Sequence, residues 1–124
     1  GFEEYLKRLK HYHDVRVTHI ADKNNDTKHF QEAIGTSYAV GLVIAGQQLS
    51  SPELSDFLEK RANDGREVSF VIGGPDGLPE EIIAHCDYQW SLSKLTLPHD
   101  LAMVVLVETL YRASTIAAGQ PYHR

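Results

Sequence analysis

Three turns in this 124-residue chain have the residue types to seat a ligand. Each follows a run that reads as a β-strand. They are Gly46 after Val43-Ile44, Gly73-Gly74-Pro75-Asp76-Gly77 after Val71-Ile72, and Ser93–Pro98 after Leu92. Ligands of open α/β sheets bind beyond the carboxyl ends of the strands. Glycine there lets a ligand approach the backbone closely. The loop from Gly73 to Gly77 is not a GxGxxG fingerprint, because its spacing differs and Pro75 interrupts it. Nor is it a P-loop, since no Gly-Lys-Ser/Thr follows. On spacing alone a ligand site and a tight turn are equally good readings of it.

The remaining reactive side chains point to less. Seven histidines invite a metal site, but His11 and His13 stand near a helix end while His85, His99 and His123 are scattered. No HExxH and no Cys/His pair at ligand spacing is present, so no metal is expected. Cys86 is a single cysteine, which excludes an internal disulfide. A catalytic thiol would need a basic partner. His85 is adjacent, yet neighbours on a helix point about 100° apart, so Cys86 reads as a buried thiol on an apolar face. Ser91 and Ser93 lack the G-x-S-x-G elbow of a hydrolase.

The elements that must position these turns follow from periodicity. Phe2, Tyr5, Leu6 and Leu9 recur at helical spacing, and Val15–Ile20 alternates as a strand. Asp22–Lys28 reads as a polar loop, followed by a weak helical stretch around Phe30–Ile34 that Gly35 ends. Tyr38–Ala45 is a nearly continuous apolar run closed by Gly46, the pattern of a strand buried on both faces. Ser51-Pro52 reads as a cap and first turn, from which Leu54, Phe57, Leu58 and Arg61 carry a helix to Gly65. A strand at Glu67–Ile72, a helix at Pro79–Cys86 and a strand at Tyr88–Ser93 follow. A loop at Lys94–Pro98 then leads to a long helix at His99–Ala118, stopped by Gly119 and Pro121. Alternating strands and helices predict a single α/β domain with a mostly parallel sheet, crossover connections and flanking helices.

Bulk properties agree with one ordinary globular core, at 42% hydrophobic and 23% charged residues. Apolar stretches such as Ala102–Val107 are too short to cross a bilayer, and residues 1–20 hold no signal-peptide block. No membrane partner and a cytoplasmic location are therefore expected. The formal net charge of -5 argues against tight autonomous RNA binding and leaves room for a local basic patch or a dimer-built site.

Four stretches in order carry a resemblance to a known family. They are Val71-Ile72-Gly73-Gly74-Pro75-Asp76-Gly77-Leu78, Trp90-Ser91-Leu92-Ser93-Lys94-Leu95-Thr96-Leu97-Pro98-His99, Leu110-Tyr111-Arg112-Ala113, and the terminal Pro121-Tyr122-His123-Arg124. Together they closely resemble the RlmH family, the large-subunit ribosomal RNA pseudouridine N3-methyltransferases of the SPOUT superfamily. The similarity runs from Gly1 to the last residue, dense from Gly65 onward and looser before Leu42. It implies a C-terminal deep trefoil knot, which no periodicity reveals. It also implies a homodimer with S-adenosylmethionine bound in the knot by Leu42, Gly73, Leu92, Ser93, Lys94, Leu95, Thr96 and Leu97. Gly73 would leave space for the methionine portion, loop amides would meet the adenine edge, and Leu42, Leu95 and Leu97 would sandwich the ring. For any one leucine alone, core packing is the simpler reading.

The implied acceptor is a pseudouridine in a stem-loop at the ribosomal subunit interface. Methyl transfer is an in-line displacement, and the N3 proton must leave. The terminal Tyr122-His123-Arg124 is the candidate for holding the base, with His123 as proton acceptor and Arg124 on phosphate. The plain reading of such a tail is fraying. His99, which opens the long helix, is a second catalytic candidate and equally well a helix-terminal structural residue. Arg112 would either pair with Glu108 at i,i+4 or touch RNA. The acidic average favours the assembled ribosome over naked RNA as substrate.

Two departures from the family pattern stand out. The strand and loop that precede the first helix in other members are absent here, and the stretch around Asp22–Lys28 looks short. Additional residues before Gly1 and near Asp22–Lys28 are therefore expected in the intact product, since a missing strand exposes a sheet edge. Met103 stands where the family's long helix usually carries arginine; if that arginine serves the dimer seam or RNA, the contact is missing or replaced here. Two other readings compete with the methyltransferase. One is a non-catalytic dimeric RNA- or ribosome-associated module, which would bind the cofactor weakly or not at all. The other is a nucleotide-binding enzyme using the Gly73–Gly77 loop, but no basic residue lies near it to neutralise phosphate.

Overall fold

The computed structural model describes residues 1–13, 26–74 and 77–119. Within them the chain forms α1 (Phe2–Leu9), α2 (Thr27–Ile34), β1 (Tyr38–Gln47), α3 (Ser51–Asn63), β2 (Val68–Val71), α4 (Glu80–His85), β3 (Tyr88–Trp90) and α5 (His99–Ala117). The expected strand Val15–Ile20 lies outside the described residues. The three described strands form one sheet in the order β2-β1-β3, and both pairings are parallel. This is the expected α/β fold with flanking helices.

β1 is central because both its faces are covered. Successive residues point to opposite faces of a strand, and here Ala39 and Val40 enter two different cores. Val40 packs with Leu9, Leu54, Trp90, Leu106, Leu110 and Ala113, whereas Ala39 packs with Phe30 and Ile82. Helices α1, α3 and α5 thus cover one face, and α2 and α4 the other. The absence of a side chain at Gly41 makes room for Cys86. A Cβ there would lie 2.9 Å from the Cys86 sulfur. Cys86 donates to the Ile82 carbonyl at 3.4 Å, and burial raises its pKa, as befits a packing thiol.

Several boundaries differ from those read off the sequence, each for a local reason. α2 starts at Thr27, within the stretch expected as a polar loop. Asp26 caps the helix by accepting from the His29 N–H at 2.9 Å. The cap of α3 is Ser50 rather than Ser51, with Ser51 and Pro52 in the first turn. Ser50 and Glu53 form a reciprocal capping box. β3 stops at Trp90 instead of Ser93, because the Ser91 hydroxyl turns to the Ser93 carbonyl at 2.9 Å and bends the chain.

His13, just past α1, ties the N-terminal segment to α5. The Ser114 hydroxyl donates to the Leu110 carbonyl at 2.8 Å and so accepts from His13 Nε2–H at 2.9 Å. Desolvation of that ring holds the His13 pKa below its ordinary value. A base whose folded pKa is depressed contributes stability above its unfolded pKa, about 6.5, and loses it as pH falls below that value. The thermal midpoint is therefore expected to drop between pH 7 and pH 5.5. His13→Gln should flatten that dependence in a melting series, and an unaltered slope would remove His13 as its source.

Candidate active site

Parallel strands deliver their carboxyl ends to one edge of the sheet. Gly41 stands opposite both Val71 and Gln89, and Leu42 opposite Trp90. Leu42 therefore stands level with the ends of β2 and β3, where the Ile72-Gly73 and Ser91-Leu92 steps leave the sheet side by side. Beyond Leu42 the ladder is irregular until Gln47 also pairs with Trp90. Gly46 permits that return: a Cβ there would lie 2.7 Å from the Gln89 carbonyl carbon. The turn expected at Gly46 is thus strand, and its open space is taken by the backbone of β3.

At the end of β2 the tight-turn reading holds for the backbone. The Gly77 N–H donates to the Gly74 carbonyl at 2.9 Å, and Gly77 adopts φ 78°, a left-handed conformation that favours glycine. The space at Gly73 is also not free. A Cβ there would lie 2.3 Å from the Gly77 carbonyl carbon and 2.4 Å from the Leu78 nitrogen. Gly73 is required first by its own loop, a different reason from the clearance for a ligand that its position suggested.

The Gly73 carbonyl accepts from His99 Nδ1 at 3.0 Å. A carbonyl only accepts, so Nδ1 carries the proton. His99 thus locks the start of α5 to the end of β2, which is the structural role. The turn after β3 is also fixed by side chains. Ser91 is buried and holds the Ser93 carbonyl, and the Ser93 hydroxyl accepts the Leu95 N–H at 3.0 Å. Ser91 is a positioning residue that motif reading passed over. Its signal was the Ser-x-Ser spacing that favours such hydroxyl turns.

The loop's leucines divide. Leu42 and Leu92 pack partly buried against the large core, so core packing accounts for them. Leu95 is 72% exposed and Leu97 is half-buried, so packing does not account for Leu95. Lys94 and Thr96 are exposed and Ser93 is half-buried. Among the described residues, the N–H groups of Ser93, Lys94, Thr96 and Leu97 have no protein acceptor. Donors and an apolar side chain displayed together suit a flat heteroaromatic ligand with acceptor edges.

Tyr122, His123 and Arg124 lie outside the described residues. Arg112 forms the i,i+4 ion pair with Glu108, and Met103 is half-buried in α5. No group of three metal-ligating side chains occurs among the described residues, nor is any described helix long and apolar enough to cross a membrane.

A parallel α/β sheet whose strands end in glycine- and serine-shaped turns at one edge is the class of protein that the fold defines. The family model described as "Predicted SPOUT methyltransferase" matches residues 1–123. Over its whole length the chain is 50% identical to the ribosomal RNA large subunit methyltransferase H of Deinococcus deserti, covering 88% of that protein. It is 47% identical to the protein of the same name from Deinococcus radiodurans, covering 87% of it. A third, from Stenotrophomonas maltophilia, is 39% identical with 88% covered. The chain belongs to the RlmH family of SPOUT methyltransferases.

Proposed function

We propose that the protein transfers a methyl group from S-adenosylmethionine to N3 of a pseudouridine in large-subunit ribosomal RNA, acting as a cytoplasmic homodimer on assembled ribosomes. Similarity over the entire chain to relatives named as large-subunit ribosomal RNA methyltransferases carries this reading. The loop at the carboxyl edge fits the cofactor. Leu95 is 72% exposed, and among the described residues the amides that flank it have no protein acceptor. Leu42, Gly73, Leu92, Ser93, Lys94, Leu95, Thr96 and Leu97 would hold it within a trefoil knot. When bound, the cofactor supplies an electrophilic methyl on a sulfonium.

The chain's own groups do the rest. The amides of Lys94, Thr96 and Leu97 bind and orient an adenine edge, and Leu95 and Leu97 keep water from the ring. His99 fixes Gly73 and with it the loop beneath the site. Tyr122 stacks on the target base, Arg124 binds a neighbouring phosphate, and His123 takes the N3 proton as the nitrogen gains the methyl. A dimer also accounts for α5. This helix keeps the large apolar side chains of Leu101 and Ile116 exposed while Leu106, Leu110 and Ala113 are buried, as in a helix with a further partner to cover it.

Methylation of purified ribosomes with labelled S-adenosylmethionine, followed by nucleoside analysis, tests the assignment. N3-methylpseudouridine is expected, formed more slowly on isolated ribosomal RNA. Equal rates on both would remove the ribosome from the proposal. Absence of any methylated nucleoside, despite cofactor binding, would favour the non-catalytic module. His123→Ala is expected to lower kcat about a hundredfold with cofactor affinity unchanged. A wild-type kcat would assign the proton to another group, with His99 the next to replace.

A further inference from the structure

We infer that Ser91 sets the affinity for S-adenosylmethionine without touching it, by closing the turn after β3 through its hydroxyl so that the turn's amides stay free. This rests on the reading of that turn as the cofactor site. Ser91 is 3% exposed and follows Trp90, which is 2% exposed, so its hydroxyl sits inside the protein at the end of a strand. A hydroxyl in such a place is costly unless it is hydrogen-bonded. It donates to the Ser93 carbonyl at 2.9 Å, and the Ser91 N–H donates to the Gln47 carbonyl at 2.8 Å. One residue thus fastens the turn both to the last residue of β1 and to itself.

How the turn is closed decides what it can bind. A β-turn is often closed by a bond from the N–H of its fourth residue to the carbonyl of its first, which consumes that N–H. Among the described residues, no backbone–backbone bond joins any two of residues 91–97. Two hydroxyls take its place. Ser91 donates to the Ser93 carbonyl, and Ser93 accepts the Leu95 N–H at 3.0 Å. The amides of Lys94, Thr96 and Leu97 are left without a protein acceptor. Adenine ring nitrogens accept hydrogen bonds, so these are the donors that the cofactor's base needs.

Without the Ser91 hydroxyl, the Ser93 carbonyl has lost its donor. The Thr96 N–H, three residues on, is then placed to close an ordinary β-turn onto it. That closure withdraws a donor from the cofactor. Ser91 is therefore a positioning residue that acts on the ligand through the turn, with no part in methyl transfer or in ribosome recognition.

The test is Ser91→Ala, which removes a single oxygen atom. Calorimetric titration with S-adenosylmethionine and with S-adenosylhomocysteine should give Kd values about tenfold higher, the scale of one lost hydrogen bond. Both ligands should lose alike, because both carry the adenosine. On ribosomes, KM for S-adenosylmethionine should rise by a similar factor, with kcat and the KM for ribosomes unchanged. Limited trypsin digestion reads the turn directly, because Lys94 is exposed within it. Cleavage after Lys94 should be about tenfold faster in the variant, and equal to that of the wild type when S-adenosylmethionine saturates both. Cleavage after the exposed Lys60 and Arg66 should not change. Faster cleavage at all three sites, or a kcat that falls with the affinity, would mean a general loosening of the fold and overturn the role. Unchanged Kd, or unchanged cleavage after Lys94, would also overturn it and leave the cofactor reading standing, provided the wild type binds. Wild-type protein that binds no S-adenosylmethionine would defeat the cofactor site and this inference together.

Discussion

Gly73→Val is expected to abolish saturable binding of S-adenosylmethionine in calorimetric titration while the far-ultraviolet spectrum stays native. The added side chain begins at a Cβ that would lie 2.3 Å from the Gly77 carbonyl carbon and 2.4 Å from the Leu78 nitrogen. Both are backbone atoms, which cannot rotate away, so the loop itself must shift. Its carbonyl then leaves His99, and the end of β2 separates from the start of α5. Overpacking of this kind costs about 1–3 kcal/mol or more, so a lower thermal midpoint should accompany the loss. Gly74→Ala is the control. A Cβ at Gly74 meets nothing within 4 Å, and its φ is not positive. That variant should bind within about twofold of wild type. If Gly73→Val binds like wild type, the cofactor does not use this loop.

Trp90→Ala should cost about 3–5 kcal/mol, the range for truncating a large buried aromatic. Trp90 is 2% exposed, packs its ring 5.8 Å from that of Phe70, and belongs to the core shared by α1, α3 and α5. The loss is a large share of the 5–15 kcal/mol that holds a typical domain folded. Trp90 also pairs with Leu42 and precedes Ser91, which anchors the loop, so cofactor affinity should fall with stability. Urea unfolding followed by circular dichroism measures the change, since the chain's sole tryptophan is the residue removed. An unchanged midpoint would mean that the core is not organised around β3.

Most element types were legible because their signals are local. The apolar run from Tyr38 has the composition of a strand covered on both faces, and β1 is covered on both. Gly65 and Gly119 were read as helix stops and both adopt positive φ just after helices. Boundaries failed where a side chain redirected the backbone. Asp26 capped α2 earlier than its weak apolar pattern suggested, and Ser91 ended β3 before the run of small polar residues did. At the site, the motif order pointed to the loop after Leu92. The hydroxyl bonds that shape that loop are not visible in the motif, which offers Ser93 as a cofactor contact within a turn and gives Ser91 no part in holding that turn.

By itself the sequence determined the fold class and the family, because periodicity, punctuation by glycine and proline, and motif order are properties of neighbouring residues. Only the tertiary structure decided the strand order β2-β1-β3, the demand on Gly73 from Gly77 and Leu78, the tie from His99 to Gly73, and which leucines are free to meet a ligand. Each of these depends on contacts between residues far apart in the chain. Such contacts are set by the packing of a whole core, which no local pattern encodes.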